Sequence, residues 1–193
     1  DTGWVEVTDV NDAPVLAPQS PAIGTTDVVT PLEATVSDFV RGITDVDRNA
    51  VIGGIAVTGV MGQGTWSYSL NGTTFQNVSP VTSTAALLLR RSDLLRYTPA
   101  GGLPETATIT YRAWDTSQGT AGGVADVTGG GGDTAFSIAS DTAAVTVKEV
   151  NIPPTIGNVG GPLAYVENDP PQAVFPSATV VDPNSADFDG GRL

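Results

Sequence analysis

Asp9, Asn11 and Asp12 fall within four residues of the stretch EVTDVNDAPVL (6–16), and Pro14 follows almost at once. Carboxylates this close repel one another in water, and a divalent cation would turn that repulsion into attraction. A hard cation takes about six to eight oxygens at ~2.3–2.6 Å, so other parts of the fold must supply a second set of ligands. Two acidic phrases offer them. ITDVDRN carries Asp45 and Asp47 two residues apart, and RAWDTSQG ends a strand-like run with Asp115. The alternative for Asp9, Asn11 and Asp12 is that Asx residues make turns and close strand ends through local hydrogen bonds. For Asp45 and Asp47 the alternative is a solvated turn.

Histidine and cysteine are both absent from the 193 residues. Their absence removes imidazole bases, thiolate nucleophiles, the usual zinc ligand sets and any Ser-His-Asp arrangement. Eight basic residues against 21 acidic ones give a net charge of −13. Phosphate backbones and anionic membrane surfaces would be repelled, so no nucleic-acid partner is expected and cations are. Without disulfides, a small secreted domain needs a different staple, and a bound metal would serve. No run of 18 apolar residues occurs, and the first residues lack a basic-then-apolar pattern, so neither membrane insertion nor a signal peptide is expected. The piece reads as part of something longer. Glu105 and Asp115 could be proposed as the carboxylate pair of a glycosidase, but no pocket-forming loops flank them, and no enzyme is expected. Trp66, Tyr68 and Trp114 read either as core or as a platform for sugar stacking.

These side chains need strands to position them. There are 23 glycines and 14 prolines, and the apolar residues mostly alternate with Thr, Ser and Val, which predicts strands and little helix. In TATITYRAWD, Ala107, Ile109, Tyr111 and Ala113 should face one way and Thr106, Thr108, Thr110 and Arg112 the other. TAAVTVKEVN repeats the pattern with Ala143, Val145 and Val147 inward. GTWSYSLNGTTF reads as a hairpin turning at Asn71-Gly72. TAALLLRRSDLLRYTP fits a helical turn, and fits equally a strand, a turn at Arg91-Ser92-Asp93 and a second strand. The glycine-rich segment 119–133 predicts a long mobile loop, because four consecutive glycines are entropically costly to order. Short strands between regular turns indicate an all-β sandwich.

The phrase DVNDAPVL at 9 returns as EVNIPPTI at 149, an offset of 140, and each copy follows an alternating valine strand. The repeat divides the chain into the terminal strand of a preceding domain plus linker (1–12), a complete domain (13–152) and the opening of a following one (153–193).

Taken together, the linker DVNDAP (9–14), the DVD of 45–47, the AWDTSQG of 113–119, VENDPP (166–171) and VVDPNSADFDGG (180–191) resemble the tandem cadherin-like repeats of giant secreted or surface adhesins of bacteria. The resemblance spans essentially the whole chain. It implies a cadherin-like, immunoglobulin-like β-sandwich and Ca²⁺ at the seams between domains. At the first seam Asp9, Asn11 and Asp12 would share calcium with Asp45, Asp47 and Asp115. At the second, Glu149 and Asn151 would meet Glu167, Asp169 and Asp182. Both patterns are incomplete. AIGTTD stands where the family usually carries a glutamate, leaving Asp27 as a substitute, and Ile152 stands in place of the linker aspartate. Asp182, Asp187 and Asp189 could instead hold an ion of their own, or Asp187 and Asp189 could make a plain Asp-Gly turn. The implied function is that of a calcium-rigidified extender repeat in a large extracellular or cell-surface protein, structural in cell adhesion, with neighbouring repeats of the same chain as partners. The alternatives are a glycan- or protein-binding adhesin module, and an extracellular filament subunit that joins identical subunits by strand exchange.

Overall fold

The computed structural model describes residues 10–47, 53–174 and 176–183. Asp9, Asp187 and Asp189 lie outside the described residues. The chain divides into two compact units, residues 1–149 and residues 150–193.

The described residues of the first unit form twelve strands: β1 (Val15–Leu16), β2 (Ala22–Asp27), β3 (Leu32–Thr35), β4 (Ile43–Thr44), β5 (Gly54–Met61), β6 (Thr65–Ser69), β7 (Gln76–Asn77), β8 (Ala86–Arg90), β9 (Leu94–Thr98), β10 (Glu105–Trp114), β11 (Val124–Ala125) and β12 (Phe136–Lys148). A six-stranded sheet runs β11-β8-β5-β10-β12-β2 and a four-stranded sheet runs β3-β9-β6-β7, while β1 pairs with β4. Among the described residues the only α-helix is the single turn α1 (Val36–Phe39). The unit is therefore an all-β sandwich.

Alternation accounts for its centre. Ala107, Ile109, Tyr111 and Ala113 of β10 are buried, as are Ala143, Val145 and Val147 of its antiparallel neighbour β12. Two aromatic contacts help fill the core. Phe39 of α1 meets Tyr111 edge-on with ring centroids 6.2 Å apart, and Trp66 of β6 leans on Tyr97 of β9 at 4.9 Å. Tyr68 is also buried, and Trp114 almost wholly so.

Of the local expectations, one of the two readings of 84–99 holds, while the two-residue hairpin does not. The stretch 84–99 is strand, turn and strand, with β8 and β9 in different sheets. Buried Asp93 closes the turn, accepting the Arg90 backbone N–H at 2.7 Å and its guanidinium at 2.8 Å. The one helical turn lies elsewhere, where Asp38 accepts the N–H of Thr35 at 2.9 Å. After Asn71-Gly72 the chain makes no two-residue hairpin. Asn71 Oδ1 accepts the N–H groups of Thr73 and Thr74, and pairing resumes only at Gln76.

The glycine-rich segment is the larger correction. It is a structured cover: β11 pairs with β8, Val127 N donates to Ser83 O at 2.7 Å, and Gly131 N donates to Phe136 O at 2.8 Å. Ala56, Leu88, Trp114, Val127, Ala135 and Phe136 form one buried cluster with Ala86. The six-stranded sheet thus carries apolar side chains on its outer face too. Burying them at ~25 cal/mol per Å² offsets the entropy of ordering the glycines.

In the second unit, β13 (Thr155–Gly157) and β14 (Thr179–Val181) form an antiparallel pair.

Candidate metal centre

The linker enters the first unit at one end of the long strands and is held there by three loops. Ala13 N donates to Gly132 O at 2.7 Å, which ties it to the glycine-rich cover, and Pro14 is buried. Asn11 Nδ2 donates to Asp115 Oδ2 at 3.0 Å and to Thr134 O at 3.1 Å. Asp12 N donates to both carboxylate oxygens of Asp47, at 3.1 and 3.0 Å. Asp47 N in turn donates to Asp45 Oδ1 at 3.0 Å.

Each acidic group is placed by the element before it. The β1–β4 pairing sets Val15 against Thr44, so Asp45 emerges directly beside the linker. Asp115 follows Trp114 at the end of β10, where a register shift against β12 turns the chain. Its Oδ1 accepts Ser117 N at 2.7 Å, and Thr116 takes a left-handed φ of 74°. Gly53 lets this turn approach, since a Cβ there would lie 3.0 Å from Asp115 O and would collide with Thr116 Cγ2.

Asn11, Asp12, Asp45, Asp47 and Asp115 are thus joined in one chain of contacts around the linker. The donor set suits a hard cation, being carboxylate, amide and backbone oxygen throughout. Asp45 Oδ2 is buried with no hydrogen-bond partner among the described residues, an arrangement that costs free energy unless something positive or hydrogen-bonding satisfies it. Among the described residues, no three His, Cys, Asp or Glu side chains are gathered closely enough to hold a metal ion by themselves. The linker seam also opens onto a cleft of about 440 Å³, lined in part by Val15, Val46, Gly131, Gly132 and Ile138.

Asp27 does not reach this seam. It lies in register with Lys148, at the other end of β12 from Phe136, on the order of 40 Å away along a strand of thirteen residues. Its carboxylate accepts Val29 N and Thr30 N at 2.9 and 2.7 Å together with the Thr30 hydroxyl, and these bonds, Val29 first, hold it below the usual carboxylate range. Glu105 and Asp115 likewise stand at opposite ends of β10, too far apart to act on one glycosidic bond. Glu105 accepts the Tyr97 hydroxyl and, at 2.7 Å, the N–H of Gln63. Of the residues read for the second seam, Glu149 follows β12 and closes the first unit. In the second unit, Asn151 and Glu167 are exposed, Asp182 directly follows β14, and Asp169 closes a turn by accepting Val166 N at 3.2 Å.

Asp141 is a buried carboxylate that sequence reasoning missed. It is 4% exposed and accepts N–H groups from Gln19 at 2.8 Å, Ser20 at 2.9 Å and its neighbour Thr142 at 2.8 Å, with the Tyr111 hydroxyl at 3.3 Å. Burial alone would raise its pKa, but these donors outweigh burial and leave it below the ordinary value. The same burial, with the Asp141 charge beside it, pushes the Tyr111 phenol far up. The available signal was weak: one Asp inside an alternating strand, at the position that repeats Asp1. Comparison with protein-family models, curated proteins and solved structures finds no match, so the residues put forward are those that this chain's own geometry brings together.

Proposed function

We propose that the chain is a calcium-rigidified extender repeat of a large extracellular bacterial adhesin. The observation that carries the calcium reading is the linker seam: Asp45 Oδ2 is buried without a partner among the described residues, beside the Asp47 carboxylate that already grips the linker backbone at Asp12. Asp12, Asp45, Asp47, Asp115 and the Asn11 amide, with Asp9, would hold the ion. The ion would supply the positive charge that the described side chains there lack, offsetting carboxylate repulsion and fixing the linker's exit. The setting, a bacterial cell-surface rod built of such repeats, is supported by the resemblance of DVNDAP, DVD and AWDTSQG to cadherin-like repeats and by the net charge of −13. A sugar-binding role loses its main support, because Trp66, Tyr68 and Trp114 are all buried.

The test is thermal unfolding of the chain in chelator and in millimolar calcium, with Asp45→Asn alongside. A midpoint raised by calcium in the parent and unchanged in Asp45→Asn supports the reading. A parent midpoint indifferent to calcium overturns it.

A further inference from the structure

The glycine-rich cover is anchored in two different ways along its length. Residues 119–127 rest on the six-stranded sheet itself: Gly122 N donates to Leu88 O at 2.8 Å, Leu88 N donates to Gly123 O at 3.0 Å, and β11 pairs with β8. Gly119 and Gly122 allow the close approach, since a Cβ at either would collide with Leu88 or Leu70. Val127, at the end of this half, is 1% exposed.

Residues 128–134 are held differently, and none of them is buried. Gly131 N donates to Phe136 O at 2.8 Å and Thr134 N to Gly131 O at 3.3 Å, bonds that stay within the segment's own turn, while Thr128 closes locally on Asp126. Among the described residues, the hydrogen bonds that reach 128–134 from elsewhere in the chain both come from the linker: Ala13 N to Gly132 O at 2.7 Å and Asn11 Nδ2 to Thr134 O at 3.1 Å. The same Asn11 amide donates to Asp115 Oδ2 at 3.0 Å, and Asp115 N donates to Ala135 O at 3.2 Å. The linker therefore closes the neck where the loop leaves the sheet and rejoins it. Four successive glycines, two of them at left-handed φ of 93° and 63°, gain much entropy on opening, and no buried side chain of their own holds them down.

We propose that 128–134 is a strap latched by the linker: when Asn11 and Ala13 leave the seam, the strap opens as a local unit while 119–127 stays on the sheet. The strap joins Val127 to Ala135, two members of the buried cluster that contains Trp114, so its opening loosens one rim of the cover without lifting the rest. Seating of the linker is thereby coupled to the outer face of the six-stranded sheet. This goes beyond the calcium reading and holds with or without an ion.

The experiment is hydrogen exchange of single amides in chelator, on the parent chain and on Asn11→Ala. In the parent the Gly131 and Gly122 amides should both be protected. In Asn11→Ala, Gly131 should exchange about 10-fold faster or more, while Gly122 and the amides of β10 stay within about twofold of the parent. A Gly131 amide that exchanges at the free-peptide rate in the parent, or at one rate in both proteins, overturns the proposal. So does equal acceleration of Gly131 and Gly122, which would mean that the cover opens in one piece, or of Gly131 and β10, which would mean that the whole unit is destabilised. Gly129→Ala, at a position where a Cβ meets nothing within 4 Å, is the opposing variant. By stiffening the open strap it should slow Gly131 about two- to fivefold, and a Gly131 rate that does not fall overturns the proposal as well.

Discussion

β1 is gripped from both sides by carboxylates, and the two grips differ in kind. Before the strand, Asp47 takes the N–H of Asp12; after it, Asp141 takes those of Gln19 and Ser20. Asp141 is buried and saturated by donors from the chain itself, whereas the seam around Asp45 and Asp47 faces the linker and leaves one buried carboxylate oxygen unmet. A buried charge whose every lone pair has an N–H or O–H partner is a structural clamp. One that is short of donors has room for a water or a cation.

The comparison breaks most sharply at Asp141. Asp141→Ala strands three backbone N–H groups and should cost about 3 kcal/mol in urea unfolding, while Asp47→Ala in chelator should cost under about 1 kcal/mol because its donor, Asp12, is exposed. A large loss for Asp47→Ala in chelator would mean that the seam is a clamp of the same kind.

Next in size is the response to calcium. At saturating ion the parent should gain about 1–3 kcal/mol in calorimetry, and Asp45→Ala should abolish that gain. Asp141→Ala should start lower and keep the gain. Loss of the response in both variants would erase the distinction.

Acid should separate the two grips by a smaller margin. Because the folded pKa of Asp141 lies below its ordinary value of 3.8, its contribution is present above 3.8 and is lost as pH falls through the folded pKa. Chelated protein should therefore lose more stability than Asp141→Asn as the pH falls below 3.8, measured by urea midpoints.

The smallest effect belongs to the other end of the sandwich, where Glu105 is met by Tyr97 and Gln63 much as Asp141 is met. The Tyr97 phenol is pushed up to about 12, by burial first and by Glu105 second. In Glu105→Gln, ultraviolet titration should show that pKa falling only partway, with the calcium response intact.

Periodicity was enough to orient β10 and β12, because an inward residue at every second position leaves a strand little choice of face. The acidic phrases at 45–47 and 113–119 could be read as oxygen donors, since carboxylate spacing is local information. Their meeting with Asn11 and Asp12 could not be derived from spacing, because it depends on the β1–β4 register and on the shift that ends β10. The glycine-rich segment was misread for a related reason. Its order comes from Leu88 and Trp114 on the outer face of a distant sheet, and local composition carries no trace of them.

By itself, the sequence determined the strand-rich class, the acidic character and the internal repeat, because side-chain alternation, charge and recurrence are properties of neighbours along the chain. Only the tertiary structure decided that Asp27 belongs at the far end, that Asp141 clamps β1, and that Asp45 keeps an unmet oxygen. Each of these depends on which backbone donors long-range pairing brings to a carboxylate and on how much water it excludes there.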